Sequence, residues 1–171
     1  PGVRGGARRR VVCRGVEGRS PSHYATALMA MAASRGWRGA VAHFRGCSGE
    51  PNRAARAYHS GDSAEIDWIL RRFAAQDPAG APLLAAGVSL GANALLKWLG
   101  EQGEAAGFVA AAVAVSPPQD LAAGAVALSR GFNRVYMDNF LRTLKRKSLA
   151  MLERHPGLFD RERMLASRDF F

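Results

Sequence analysis

Short apolar runs alternate with segments of helical spacing along most of this chain, and this alternation constrains the fold more than any other feature. Between the runs, apolar side chains recur three or four residues apart over residues 22–34, 60–75 and 90–102. Strands that are joined through helices pair side by side in parallel. We therefore predict an α/β fold, a mostly parallel sheet with helices on both faces. The predicted strands are 10–13, 39–44, 82–88 and 108–115.

The pattern changes after Ser116-Pro117-Pro118. Residues 120–155 have helical spacing only, and no further strand is predicted before Phe171. We interpret the segment as a helical lid or cap over the carboxyl edge of the sheet, although a plain pair of packing helices explains the pattern equally well. The predicted parts are an atypical Arg- and Gly-rich start (1–14), a core (15–118) and an incomplete helical domain (119–171).

Two features of that helical part have two interpretations each. Phe132, Tyr136 and Phe140 are four residues apart and share one helix face, which indicates either packing or a groove for an acyl chain. The basic run 145–147 indicates a solvated helix surface, with peripheral contact to anionic lipid as the alternative.

The sequence Gly87-Val88-Ser89-Leu90-Gly91 lies between a predicted strand and a predicted helix. This strand–turn–helix context is the one in which a Gly-x-Ser-x-Gly motif presents a nucleophilic serine. Gly87 and Gly91 are small enough for the strand and helix backbones to approach, and the Leu90 N–H lies at the helix N-terminus, where it stabilises an oxyanion. We predict that Ser89 is a nucleophile; the alternative is that Ser89 only caps the helix.

Three further residues are predicted from their position at the same sheet edge. The backbone N–H of Val16, in the turn after the first strand, is the candidate for the second oxyanion donor. His43 and Arg45 follow the second strand, where active-site loops gather, and we predict a supporting role for them.

Longer motifs around these residues strongly resemble the YheT-like α/β-hydrolases, the AB-hydrolase-4 family. They are HFRGCSGEPNR at 43–53, YHSG at 58–61, GVSLGANALLKWLG at 87–100 and GFNRVY at 131–136. The resemblance runs from about residue 15 to the carboxyl end. It implies a partial α/β-hydrolase fold and a serine carboxylic ester hydrolase. The implied substrates are small molecules, either short- to medium-chain acyl esters or acylglycerols, and Ser89 carries the acyl group.

The chain departs from the family pattern in three ways. Arg14 replaces a family His beside the oxyanion turn, and Ala92 replaces a Gly. The family's acid and catalytic His follow two further strands, which we expect to lie beyond Phe171, and the family's first strands are expected to be missing before residue 15. A truncated or frame-disturbed gene would produce this pattern. A catalytically inactive fragment or pseudoenzyme that only binds apolar ligands is therefore the alternative to an active hydrolase.

A serine nucleophile needs a base, and four His residues are available. Only His155 follows Ser89, as the order of the triad requires, with Asp120 as its formal acid. His155 lies in a helix-ending turn, so we favour structural roles for it and for His23, His43 and His59.

The formal net charge of +10 raises the question of nucleic-acid binding. Residues 15–129 carry nine basic and nine acidic side chains, so the excess lies at the two ends, outside the predicted core. Such ends are typically solvated, and we predict no nucleic-acid partner.

No apolar run approaches the roughly 18 residues of a membrane span, and residues 1–10 lack the apolar segment of a secretory signal. Cys13 and Cys47 are too few for a disulfide framework or a convincing metal site. We predict a cytoplasmic protein with no metal and no cofactor.

Overall fold

A computed structural model describes residues 10–15, 22–76 and 81–170. The chain divides into two compact units. Unit 1 comprises Pro1–Gly49 and Tyr58–Pro117, and unit 2 comprises Glu50–Ala57 and Pro118–Phe171.

Unit 1 contains a four-stranded sheet in which every neighbouring pair is parallel. Its order is β2-β1-β3-β4, so β1 and β3 are central and β2 and β4 lie at the edges. The predicted α/β fold with a parallel sheet is confirmed. The strands are β1 Arg10–Gly15, β2 Arg38–Ala42, β3 Leu83–Val88 and β4 Val109–Val115.

Two strands end at other residues than predicted, and the remaining differences are of one residue at a strand start. β1 continues past residue 13 because Arg14 pairs with Ala42 on one side and with Gly87 on the other. β2 ends at Ala42, and Phe44 beyond it stacks on Tyr58 with 4.8 Å between ring centroids. Both differences come from partners that are distant in sequence.

Three helices belong to the same unit: α1 His23–Ser34, α2 Ser63–Ala75 and α3 Leu90–Gln102. Gly36 terminates α1, because it has φ +68° and its N–H donates to the Ala33 carbonyl at 2.9 Å. α2 begins at Ser63 rather than at residue 60, with Asp62 at the N-cap position.

The core of unit 1 forms where α2 and α3 pack on β3. Trp98 is fully buried, and its indole N–H donates to the Asp67 carboxylate at 2.9 Å, which joins α3 to α2. Its ring also meets Phe108 edge-on, with 5.8 Å between centroids. The buried residues of this cluster are Ile66, Leu70, Leu83, Ala85, Ala94, Leu95, Trp98 and Ala106.

Strand β4 is far less covered than β3. Alternate residues of β3 are buried, whereas Ala110 to Val113 are all exposed, with Val113 57% exposed. β4 pairs with β3 on one side and forms one edge of the described sheet.

Unit 2 contains helices α4 Leu121–Leu128, α5 Arg134–Arg154 and α6 Arg161–Ala166. Asp120 caps α4 by accepting the Ala123 N–H, and Asp160 caps α6 by accepting the Arg163 N–H, each at 2.8 Å. The Lys145 ammonium donates to the Leu165 and Ser167 carbonyls, which ties α5 to the end of α6. Met137 and Leu141, one turn apart, are the buried residues of α5.

Candidate active site

The parallel sheet brings the carboxyl ends of its strands to one edge, where ligands of open α/β sheets bind. The register places Gly15 beside Val88, and Val88 beside Val115. Ser89 follows Val88 directly, so it lies at this edge next to the ends of both neighbouring strands.

Ser89 forms a strained turn between β3 and α3. Its backbone has φ +53° and ψ −123°, a conformation that residues with a Cβ rarely adopt. Its N–H donates to the Val115 carbonyl at 2.8 Å, which continues the β3–β4 pairing by one residue. The turn is therefore held from the side by β4, at the carboxyl end of β3.

Gly87 lies where strand and helix backbones come closest. A Cβ at this position would be 2.6 Å from the Ala92 Cα and 2.7 Å from the Gly91 carbonyl oxygen. Gly91 and Ala92 are both buried. Only a glycine fits at position 87, because the atoms it would meet are backbone and cannot move aside.

Of the two predicted oxyanion donors, the structure describes one. The first bond of α3 runs from the Asn93 N–H to the Ser89 carbonyl at 3.1 Å, which leaves Leu90 among the initial N–H groups that have no acceptor inside a helix. Val16 lies outside the described residues.

Arg45 and His43 lie in the segment after β2, at the same edge. Arg45 pairs through Nε with Glu65 Oε1 of α2 at 2.7 Å, and the two side chains are 32% and 15% exposed. His43 is half-buried, and Cys47 is buried with its thiol 3.7 Å from the Arg45 carbonyl. The Arg45 guanidinium thus orders the segment against α2.

Ser116 is a residue at this edge that the sequence interpretation missed. It follows β4, next to the residue that receives the Ser89 hydrogen bond, and has φ +49°. Ser89 and Ser116 are the two non-glycine residues of positive φ in the described ranges. No local signal in the sequence predicts this backbone, because the residue before a proline normally favours extended conformations with negative φ.

Among the described residues, the Ser89 hydroxyl forms no hydrogen bond, so no side chain there is positioned to act as its base. His59 uses Nδ1 to accept the Gly61 N–H at 3.1 Å, as expected for a structural His. In unit 2, Asp120 caps α4 and His155 Nε2 lies 3.3 Å from the Arg53 carbonyl. Each member of the formal Asp120–His155 pair therefore has a local role.

Asp67 and Glu101, two carboxylates of unit 1 with a lowered pKa, take part in the contacts between α2 and α3. Burial on its own raises the pKa of Asp67, but hydrogen bonds from Trp98 and Arg71, together with the Arg71 charge, lower it overall. Hydrogen bonds from Lys97 and Ser63 lower the pKa of Glu101. Lys97 also donates to Ser63 Oγ at 3.1 Å, which connects α3 to the start of α2.

Within the described ranges, no group of three or more His, Cys, Asp or Glu side chains is arranged to bind a metal ion. The helices described there are also all too short or too polar to cross a membrane.

Comparison with known proteins finds three relatives. The chain is 44% identical over 149 residues to the Escherichia coli (strain K12) protein named "Putative esterase YheT". These aligned residues cover 87% of this chain and 43% of the relative. It is 29% identical over 145 residues to "Phospholipase ABHD3" of Mus musculus, covering 85% of this chain and 34% of the relative. The human protein of that name is 32% identical over 98 residues, 57% of this chain and 24% of the relative.

The chain thus spans less than half the length of each of these relatives. No model of a known protein family matches it, and no solved structure does.

Proposed function

Because the chain belongs to the YheT-like α/β-hydrolases, we propose that Ser89 is the nucleophile of a carboxylic ester hydrolase. The proposed substrates are small-molecule esters, either short- to medium-chain acyl esters or acylglycerols. The names of the relatives, an esterase and phospholipases, support ester chemistry in general.

In the proposed reaction, the Ser89 oxygen attacks the ester carbonyl while a base removes its proton. The Leu90 N–H stabilises the negative charge on the carbonyl oxygen by a hydrogen bond, with the Val16 N–H as the second donor. Collapse of the intermediate expels the alcohol, and water then releases the acid from the acylated serine. We assign the base and its acid to residues of the family pattern outside these 171, because among the described residues no His side chain is hydrogen-bonded to the Ser89 hydroxyl.

The observation that carries this proposal is the backbone of Ser89 together with the contact at Gly87. A positive φ on a serine is unfavourable by about 1–3 kcal/mol, and such strain clusters at active sites. A residue that only caps a helix needs neither this strain nor a glycine two positions earlier, since caps normally have extended backbone and negative φ. The two features together present a hydroxyl group at a helix N-terminus.

A second candidate function, a non-catalytic hydrolase-fold segment, is favoured by the Ser89 hydroxyl, which has no partner among the described residues. The apolar cavity between β3, α2 and α3 has a volume of about 20 Å³, enough for one water molecule and not for an acyl chain.

Labelling with a fluorophosphonate, which reacts with nucleophilic serines, separates the two candidates. We expect slow labelling of the 171-residue chain that Ser89→Ala abolishes. Ser116→Ala is the matched control, because it removes the hydroxyl at the neighbouring strand end and is expected to leave labelling unchanged. A folded chain that never labels supports the non-catalytic alternative, and labelling that persists in Ser89→Ala contradicts the assignment.

Turnover of 4-nitrophenyl butyrate by the same chain is expected to be small, less than about tenfold above that of Ser89→Ala, since no base is placed on the serine. Rapid Ser89-dependent turnover would show that a base lies within these residues after all.

A further inference from the structure

An open groove with a volume of about 480 Å³ follows the second half of α2, on the side turned away from the buried Ile66 and Leu70. A volume of this size lies within the range of small-molecule sites, about 300–1,000 Å³. The residues that line the groove form two neighbouring rows of helical spacing, and they are Asp67, Trp68, Arg71, Arg72, Ala75 and Gln76.

The groove lies towards the opposite edge of the sheet from Ser89. The Arg71 guanidinium lies 5.0 Å from the centre of the Phe108 ring, and Phe108 directly precedes the first residue of β4. Ser89 instead follows the last residue of β3. A ligand in this groove would therefore occupy a site separate from that of the proposed ester substrate.

The charge of the groove comes from Arg72. The two acidic residues of α2 already have basic partners, since Glu65 pairs with Arg45, and both Asp67 oxygens accept from Arg71 Nε at 2.9 Å. Arg72 is exposed, and no carboxylate among the described residues forms an ion pair with it. The groove is therefore complementary to an anion.

An aromatic ring lies directly beside this charge. Trp68 is 62% exposed, and the Arg72 guanidinium lies 5.5 Å from the centre of its ring. An arginine stacked on an aromatic ring keeps N–H donors for a phosphate or carboxylate, and an exposed indole offers a surface on which a planar ring stacks. A purely apolar ligand would leave Arg72 without a counterion, and an inorganic anion would leave the indole uncovered.

We propose that this groove binds a small ligand in which an anionic group is attached close to a planar ring, as in a nucleoside monophosphate or an aromatic carboxylate. The anion pairs with the Arg72 guanidinium, and the ring stacks on Trp68. Arg71 holds the wall of the groove in place, because it is bound to Asp67 and also donates to Gln102 Oε1 at 3.2 Å. The proposal goes beyond ester hydrolysis and does not require Ser89 to react.

Saturation-transfer NMR titrations of the 171-residue chain test the proposal. Adenosine 5′-monophosphate and 2-naphthoate combine a ring with a phosphate and with a carboxylate, and the tighter of the two identifies the anion. We expect adenosine, which lacks the anion, to bind at least about tenfold more weakly than the monophosphate. Arg72→Gln is expected to weaken the tighter probe at least about tenfold, and Trp68→Leu at least about fivefold, because each removes one of the two contacts.

The matched control is Arg35→Gln. Arg35 lies over the Trp37 ring at 5.9 Å, so it belongs to another arginine–tryptophan pair, but it does not line the groove and its loss is expected to leave binding unchanged. Absence of binding by both probes would overturn the proposal, as would binding that Arg72→Gln and Trp68→Leu leave unchanged. An equal loss in Arg35→Gln would attribute binding to net charge and would also overturn it. Urea midpoints of all variants exclude unfolding as the cause.

Discussion

The Ser89 N–H donates a hydrogen bond to the Val115 carbonyl oxygen at 2.8 Å. This bond fixes the turn after β3 to the end of β4, one residue beyond the last pair of the sheet register. The serine is consequently positioned by the sheet on one side and by α3 on the other. Its strained conformation persists because both elements are rigid.

The strain at Ser89 predicts an unusual order of stability among its variants. Glycine adopts φ +53° without a steric penalty, whereas alanine does not. We expect Ser89→Gly to be more stable than Ser89→Ala by about 1 kcal/mol. Urea unfolding of the two variants measures the difference, and equal midpoints would argue against strain at this position.

Gly87→Ala is expected to destabilise unit 1 by about 3 kcal/mol, because the new Cβ meets the Ala92 backbone. Gly100→Ala is the matched control: Gly100 lies in α3 with open space around it and is expected to gain about 0.5 kcal/mol from better helix propensity. Thermal and urea unfolding compare them. A neutral Gly87→Ala would mean that strand and helix are not in close contact.

The lowered pKa of Asp67 predicts a loss of stability in acid. A carboxyl group whose pKa is lower in the folded state stabilises the fold above its unfolded pKa of about 3.9, and this contribution is lost as the pH falls through the folded pKa. Asp67→Asn keeps an oxygen for the Trp98 indole but has no titrating group. We expect the wild-type chain to lose more stability between about pH 5 and pH 3 than this variant does.

Urea midpoints at each pH measure this dependence, with Asp138→Asn, on the exposed surface of α5, as the control. Glu101, which titrates in the same direction, is present in all three proteins. Parallel pH profiles for wild type and Asp67→Asn would contradict the assignment to Asp67.

The exposed edge strand β4 predicts self-association of this chain. Its residues are all Val or Ala, and a long uncharged edge strand is a template for pairing with another chain. Val113→Lys is expected to lower the apparent mass in light scattering at high protein concentration. Leu96→Lys, which adds the same charge at an exposed position of α3, is expected to have little effect; an equal effect of both would attribute the change to net charge.

The sequence predicted those parts of the fold that depend on neighbouring residues. Apolar runs and helical spacing identified β3 and α3, because their signals are local. The strand order and the extension of β1 to Gly15 depend on pairing with Ala42 and Val88, which are distant in the chain.

The same distinction between local signals and long-range contacts applies to the candidate site. Ser89 and Gly87 were recognisable because the motif lies within five residues, whereas the positive φ of Ser116 results from its place at the end of β4. The exposure of Phe132 could not be predicted, because a helical stripe of aromatic residues is equally compatible with a buried face.

Trapping the acylated protein identifies the residue that attacks the ester. The chain would be incubated with 4-nitrophenyl butyrate and digested, and the butyryl group located by mass spectrometry, with Ser89→Ala treated in parallel. We expect a butyryl group on the peptide that contains Ser89, at higher occupancy than on the peptide that contains Ser116, and its loss in Ser89→Ala. Modification of Ser116 or Lys97 with none on Ser89 would contradict the assignment of Ser89 as the nucleophile.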